Sequence, residues 1–248
     1  EAAASVKGVP YHPGAAKYFE EKGFKVDAVK EGAGNGTASA LSFGTGGESG
    51  TYYAFGGVLA SFVSGKSDCK VTALTSGGSQ ANVEDLTNGN VQLAFVQSDV
   101  MNYAYNGQRL FDSPVTGFSV VAQLYQEQVQ IVTTNPDIKT VADLAGKKVS
   151  IGAAGSGVYF NAIDVLSAYD LKESDISAVY QSFGDSAESL KDGKIDAAFI
   201  VAGAPTTAIT DLATAGSVYL VSLDDSHVQS LLSASPYYTA ATIKAGTY

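Results

Sequence analysis

The stretch Leu41-Ser-Phe-Gly-Thr-Gly-Gly-Glu-Ser-Gly-Thr-Tyr-Tyr53 decides the fold. Leu41–Gly44 reads as a short strand, and Tyr52–Ser64 as a helix with an apolar face. Between them, Gly44-Thr-Gly-Gly-Glu-Ser-Gly-Thr51 is dense in glycine, serine and threonine. A strand that passes through such a loop into a helix brings the helix's unpaired N–H groups, and the positive end of its dipole, to the strand's carboxyl end. That is an anion-binding geometry.

The pattern recurs outward from there. Strand Lys70–Thr75 passes through Ser76-Gly-Gly-Ser79 into a helix from Ser79 or Gln80 to Asn88, and strand Gln92–Val96 passes through Gln97-Ser-Asp99 into helix Asp99–Tyr105. Apolar stretches follow at Ser119–Leu124 and Val129–Thr133. Then come helix Val141–Leu144, strand Lys148–Ile151, the loop Ala153-Ala-Gly-Ser-Gly157 and helix Val158–Ala168. The spacing next predicts strand Ala178–Gln181, helix Ser186–Lys191 and strand Ala197–Val201. Loop Ala202-Gly-Ala-Pro205, helix Thr206–Ala213 and strand Val218–Val221 complete the series. Strands alternating with helices predict an α/β fold with mainly parallel sheets flanked by helices, whose ligands bind beyond the carboxyl ends of the strands. Each loop taken alone is equally a set of caps and tight turns. Together, in an early and a late cluster, they fit the two walls of a cleft.

Composition narrows the chemistry. Of 248 residues, 45% are apolar and 16% charged, enough to bury a sizeable core. The net charge of −10 argues against nucleic acid or anionic lipid as partners. No run of apolar residues is long enough to cross a membrane as a helix. The chain opens on Glu-Ala-Ala-Ala, so any signal or lipoprotein leader is expected to have been removed or replaced. Arg109 is the only arginine, and several Arg forks therefore cannot share an anion. Its own expected role is a solvated charge after a helix. Cys69, the single cysteine, is expected at a core position.

Tests for catalysis are negative. Gly44–Thr51 lacks the lysine of a phosphate-binding P-loop, and its glycines miss the dinucleotide-binding spacing. No Gly-x-Ser-x-Gly elbow occurs, and the two histidines are His12, expected in packing or a turn contact, and His227, expected at the surface. With one cysteine and no clustered carboxylates, neither a metal nor a cofactor is expected, and the chain reads as a binding protein, not an enzyme.

The sequence resembles the TAXI class of solute receptors, the substrate-binding subunits of tripartite ATP-independent periplasmic (TRAP) transporters. The segments that carry the resemblance are Gly44–Tyr53, Thr75-Ser-Gly-Gly-Ser-Gln-Ala-Asn82, Asn88-Gly-Asn-Val-Gln-Leu-Ala-Phe-Val-Gln-Ser-Asp99 and Leu124-Tyr125. Val141-Ala-Asp-Leu-Ala-Gly-Lys-Lys-Val149, Gly152-Ala-Ala-Gly-Ser-Gly157, Leu190-Lys-Asp-Gly-Lys-Ile-Asp-Ala-Ala-Phe199 and Ala202–Pro205 continue it. The resemblance implies a two-lobed type II periplasmic-binding-protein fold with a hinge. It also implies a ligand such as glutamate, glutamine, 2-oxoglutarate or a related small carboxylate, and docking of a monomer onto sodium-coupled TRAP membrane subunits. A periplasmic or extracytoplasmic location, with a lipid anchor as an option, goes with it.

One departure bears on chain order. His12-Pro-Gly-Ala15 with Tyr18-Phe-Glu-Glu-Lys-Gly23, read as a Pro-started helix ended by glycine, resembles the segment that normally ends these receptors. The expectation is a circular permutation joined through a linker at about 30–40, with roughly 50 family residues absent between the two ends. Such an order suits a natural rearranged homologue or a recombinant sensing scaffold. Residues 1–122 plus 223–248 are then expected to form lobe 1, and 123–222 lobe 2.

The expected ligand-binding residues of one wall are Thr45, Gly46, Gly47, Ser49, Gly50, Thr51 and Tyr52, with Ser79, Asn82, Gln97, Ser98 and Asp99. Tyr125, Ser156, Gly157, Val158 and Pro205 are expected to face them. Tyr52 and Tyr125 serve equally as core aromatics. Asp99 either caps its helix or, facing the ligand, recognises an ammonium group. The expected partner is a small anionic or zwitterionic ligand.

Overall fold

A computed structural model of the chain describes residues 2–30 and 38–248. Most of the expected joining linker, residues 31–37, lies outside the described residues. Near the N-terminus, His12 caps helix α1 (Pro13–Glu21), its ring nitrogen accepting from Gly14 N at 3.1 Å. The first sheet is built by β1 (Ala40–Gly44), α2 (Thr51–Lys66), β2 (Lys70–Leu74), α3 (Ser79–Thr87), β3 (Leu93–Ala94) and α4 (Ser98–Asn106). Its order is β2-β1-β3 and every pairing is parallel, with Ala40 opposite Lys70 and Phe43 opposite Leu93.

The second sheet contains β4 (Gln128–Thr133), β5 (Lys148–Ser150), β6 (Ser177–Val179), β7 (Ala197–Ala202) and β8 (Tyr219–Leu220), in the order β6-β5-β7-β4-β8. Helices α5 (Val158–Ala168), α6 (Phe183–Lys191) and α7 (Thr207–Ala215) connect and cover it, and α8 (Asp225–Ala234) follows. β4 runs antiparallel to β7 and β8, while β5 is parallel to β6 and β7. All six residues of β7 are buried, as a continuous apolar run between two helical layers requires. The result is two α/β lobes, the first built on a wholly parallel sheet and the second on a mixed one, because β4 enters antiparallel between β7 and β8.

Physical reasons account for the departures from the expected elements. Val141–Leu144 is a 3-10 turn, not an α-helix: four residues cannot nucleate one, and the Thr140–Asp143 capping box closes the turn. Ser119–Leu124 supplies no strand beyond Val120, which bridges Tyr11; His12 N donates to Val120 O at 2.8 Å and Val120 N to Pro10 O at 2.9 Å. Residues 223–248, expected with the first lobe, touch both: Tyr237 sets its ring edge-on to Tyr103 of the first lobe, while other residues of the segment lie against the second. Leu231 lies against its core, and the Tyr248 hydroxyl bonds Gln130 in β4 and accepts from Thr206 N. Arg109 is no lone solvated charge, since its guanidinium pairs with Asp164 of α5 and lies over the Tyr103 ring. Cys69 is half-buried beside Phe43 and Val71. His227 stacks on Tyr169 with its ring nitrogen on Asp224.

The second lobe's core is centred on Ile131, Val149, Ile151, Val165, Leu166 and Phe199, each nearly or fully excluded from water. α5 buries Val158, Ala162, Val165 and Leu166, the spacing of one helical face. Truncating Leu166 to Ala removes buried methyl groups that this close-packed layer cannot replace. L166A is expected to lose about 2–5 kcal/mol in chemical denaturation, against under about 0.5 kcal/mol for the exposed Ser61→Ala.

Candidate functional site

The carboxyl ends of both sheets meet across one cleft, and α2, α3, α5 and α6 all begin there. The residues before the first three are Gly50, Gly78 and Gly157, none of which has a side chain to accept from the first-turn amides. The dipole ends of three helices are thus aimed into the cleft without the usual Ser or Asp cap. α6 differs: Ser182 Oγ accepts from Asp185 N at 3.1 Å. Glycine at these positions also lets the lobes touch. A Cβ on Gly77 would lie 2.9 Å from Ala154 O, and one on Gly157 only 1.8 Å from Gln97 Oε1. Ala81 N donates to Gly155 O at 3.0 Å, a backbone bond from lobe to lobe.

Gly46, Gly47, Gly50, Thr51, Tyr52, Ser79 and Gln97 line the cleft from the first lobe, and Ser156, Gly157 and Val158 from the second. Ser156 is 6% exposed, and its Oγ has no hydrogen-bond partner among the described residues.

The other expected residues turn elsewhere. Thr45 is fully buried, its hydroxyl donating to Leu74 O at 2.6 Å. Asn82 Nδ2 donates to Thr45 O at 2.8 Å and Phe95 O at 2.7 Å, tying the ends of β1 and β3 together. Ser49 faces α7, its carbonyl accepting from Ala208 N; Ser98 is exposed, its carbonyl taken by Asn102; Pro205 is exposed behind the wall. Tyr125 sets its ring edge-on to Tyr52 and Phe55, so it packs under the cleft instead of lining it.

Asp99 does not reach the cleft either. Its carboxylate accepts from Val100 N and from Asn161 Nδ2 of α5 at 2.9 Å. Asn161 also accepts from Gln97 Nε2 at 2.7 Å and donates to the Tyr238 hydroxyl at 2.8 Å, which in turn donates to Asp164. This buried polar chain joins the two lobes behind the cleft. Burial is the main cause holding the Asp99 carboxyl up at about 6.

Several lining residues escaped the sequence reading: Ser76, Gly77 and Gly78, then Glu127, Ala153, Ser182, Phe183, Val201 and Ala202. The loop glycines were within quoted motifs. Glu127 had no signal, because a lone Glu between two glutamines before an apolar run reads as a strand's wet end. In the fold it is held under the cleft, with Oε2 accepting from the Tyr52 hydroxyl at 2.9 Å. Burial first, then the nearby Asp99 charge, push its carboxyl up to about 8, against the Tyr52 hydrogen bond. Among the described residues, no Lys, Arg or His lines the cleft.

A carboxyl whose folded pKa lies above its unfolded one stabilises the fold least when ionised. The unfolded chain releases this proton near pH 4.5 and the folded chain only near 8. Stability from this group is therefore highest below about pH 4 and falls as pH rises toward 8. Glu127→Gln is expected to raise Tm by about 2–4 °C or more at pH 9 and to leave it unchanged at pH 4, followed by thermal melts across that range.

Solved structures share this architecture. The alkanesulfonate-binding protein SsuA from Xanthomonas axonopodis pv. citri, bound to MOPS, is 19% identical, with a TM-score of 0.53 over 75% of this chain and 61% of that one. The present chain therefore spans less than two thirds of that relative's length. An ancestral arginine-binding protein bound to arginine is 18% identical (TM-score 0.51, 75% of this chain and 80% of that one). The arginine-bound form of truncated ArgBP from T. maritima is also 18% identical (TM-score 0.52, 73% and 81%). At these identities the likeness is one of fold, that of the type II periplasmic binding proteins. The model of the NMT1-like family matches residues 43–248, most of the chain, and the chain belongs to that family.

Proposed function

We propose that the chain is an extracytoplasmic solute receptor that closes its lobes on a small carboxylate or amino acid and delivers it to a membrane transporter of the TRAP type. The observation that carries this reading is the convergence of uncapped helix N-termini from both lobes on one cleft without a basic side chain. Such a site takes an anion through backbone amides. The receptor motifs from Gly44 to Pro205 support the transporter class, and the folds of sulfonate- and arginine-binding proteins support a solute-receptor role. The same lining offers no paired nucleophile and base, which favours binding over turnover.

Lobe 1 is proposed as residues 1–122 and lobe 2 as 123–222, with residues 223–248 in contact with both, Tyr237 on the first and Leu231 on the second. The permuted order is part of the proposal. Its support is that residues 9–19 lie outside the family match, yet Val9, Tyr11 and Phe19 bury themselves against Met101 and Val120 in the first lobe.

In solution, isothermal titration against L-glutamate, L-glutamine, 2-oxoglutarate and short sulfonates is expected to find one site per chain and no product on prolonged incubation. Binding of none of them, or steady turnover, sinks the receptor reading. Closure itself is tested by Gly77→Val, whose Cβ would sit 2.9 Å from the backbone carbonyl of Ala154 and wedge the lobes apart. The variant is expected to lose about tenfold or more in affinity for whichever solute binds, while its ligand-free melting stays cooperative.

A further inference from the structure

We infer that Glu127 is the specificity-determining residue of this cleft and recognises a cationic nitrogen, so that the solute is a zwitterion with its anionic end at the helix N-termini. This deepens the receptor reading and rests on it.

Three features lead there. Glu127 lines the cleft, and among the described residues only the Tyr52 hydroxyl donates to its carboxylate, at 2.9 Å on one oxygen. The groups around it bring no positive charge: Tyr52 from α2, Tyr125 from its own segment and Asp99 from α4 are neutral or acidic. Arg109, the chain's only arginine, is bound to Asp164. A buried carboxylate without a counter-charge is unfavourable, and a ligand ammonium supplies the missing partner in a charge-assisted hydrogen bond.

The anion-binding group is independent of Glu127. Ser156 Oγ is buried in the same cleft without a partner among the described residues, beside the uncapped start of α5. A hydroxyl and amides that converge there suit a carboxylate or sulfonate. One pole that offers N–H and O–H donors and another that offers a carboxylate select for a molecule bearing both charges. Because burial keeps the Glu127 carboxyl largely protonated near neutral pH, capture of an ammonium releases a proton.

The test uses the whole chain at pH 7.5 and two matched pairs in calorimetry: L-glutamate with 2-oxoglutarate, and taurine with ethanesulfonate. Within each pair the anionic groups are kept and the amine is replaced, by a keto oxygen in 2-oxoglutarate and by hydrogen in ethanesulfonate. In any pair that binds, the amine-bearing member is expected to bind about tenfold or more tightly. Its enthalpy is expected to differ between phosphate and Tris by the amount that marks proton release. Glu127→Gln is expected to shrink the ratio to within about threefold while still melting cooperatively. Equal or tighter binding of the amine-free members, or an unchanged ratio in E127Q, overturns the inference and leaves the receptor reading standing. Failure of all four to bind overturns both. Should E127Q fail to fold, the wild-type ratio and the buffer dependence decide alone.

Discussion

Everything in the cleft depends on backbone meeting backbone across it. Gly77 and Gly78 from one lobe, and Ala154 to Gly157 from the other, approach closely enough that a single methyl group at Gly77 would collide with the Ala154 carbonyl. Side chains at these positions would set the helix starts apart by the thickness of a methyl layer, and the converging amides would address separate volumes of water. With glycine, dipoles from both lobes act on one small space from which water can be excluded. The field of each helix terminus falls off within a turn, so this proximity is what makes their sum useful.

A second layer keeps that geometry from being floppy. Asn82 ties the ends of two strands of the first sheet, and the run from Gln97 through Asn161 and Tyr238 to Asp164 and Arg109 stitches the lobes together behind the cleft. Nearly every polar atom in this run is satisfied by another protein group, which is the condition for a buried network to hold shape instead of weakening it. Asp99 carries its cost, a carboxyl displaced upward by burial.

Much of this was legible in the sequence. The alternation of short apolar runs with glycine-led helices implied two α/β sheets but not that β4 runs antiparallel in the second, and the loops that line the cleft were recognisable from their glycine and serine content. What failed was the sorting of polar loop residues by their partners. Thr45, Asn82 and Asp99 look ligand-facing on paper because small polar side chains after a strand serve a solute and the protein's own carbonyls equally well. Only three-dimensional pairing separates the two uses. Glu127 was missed for the converse reason. Its position in the cleft is set by contact with Tyr52, a residue 75 positions away in the chain, and local pattern carries no trace of such a meeting. The contact of Tyr248 with Gln130 was hidden for the same reason, since the two meet only through the fold.

On the proposed receptor reading, a cleft that holds anions by dipoles on a chain of net charge −10 also shapes how solutes arrive. Dipoles act at short range, and the long-range field is that of the acidic surface. A negatively charged solute is therefore mildly repelled until it is nearly seated, and a zwitterion is neither drawn nor pushed. Capture proceeds by unassisted diffusion, and added salt, by screening the repulsion, speeds the arrival of an anion. An arginine-lined pocket behaves in the opposite way. Selectivity in such a receptor is thus exercised after encounter, in how long the lobes stay shut.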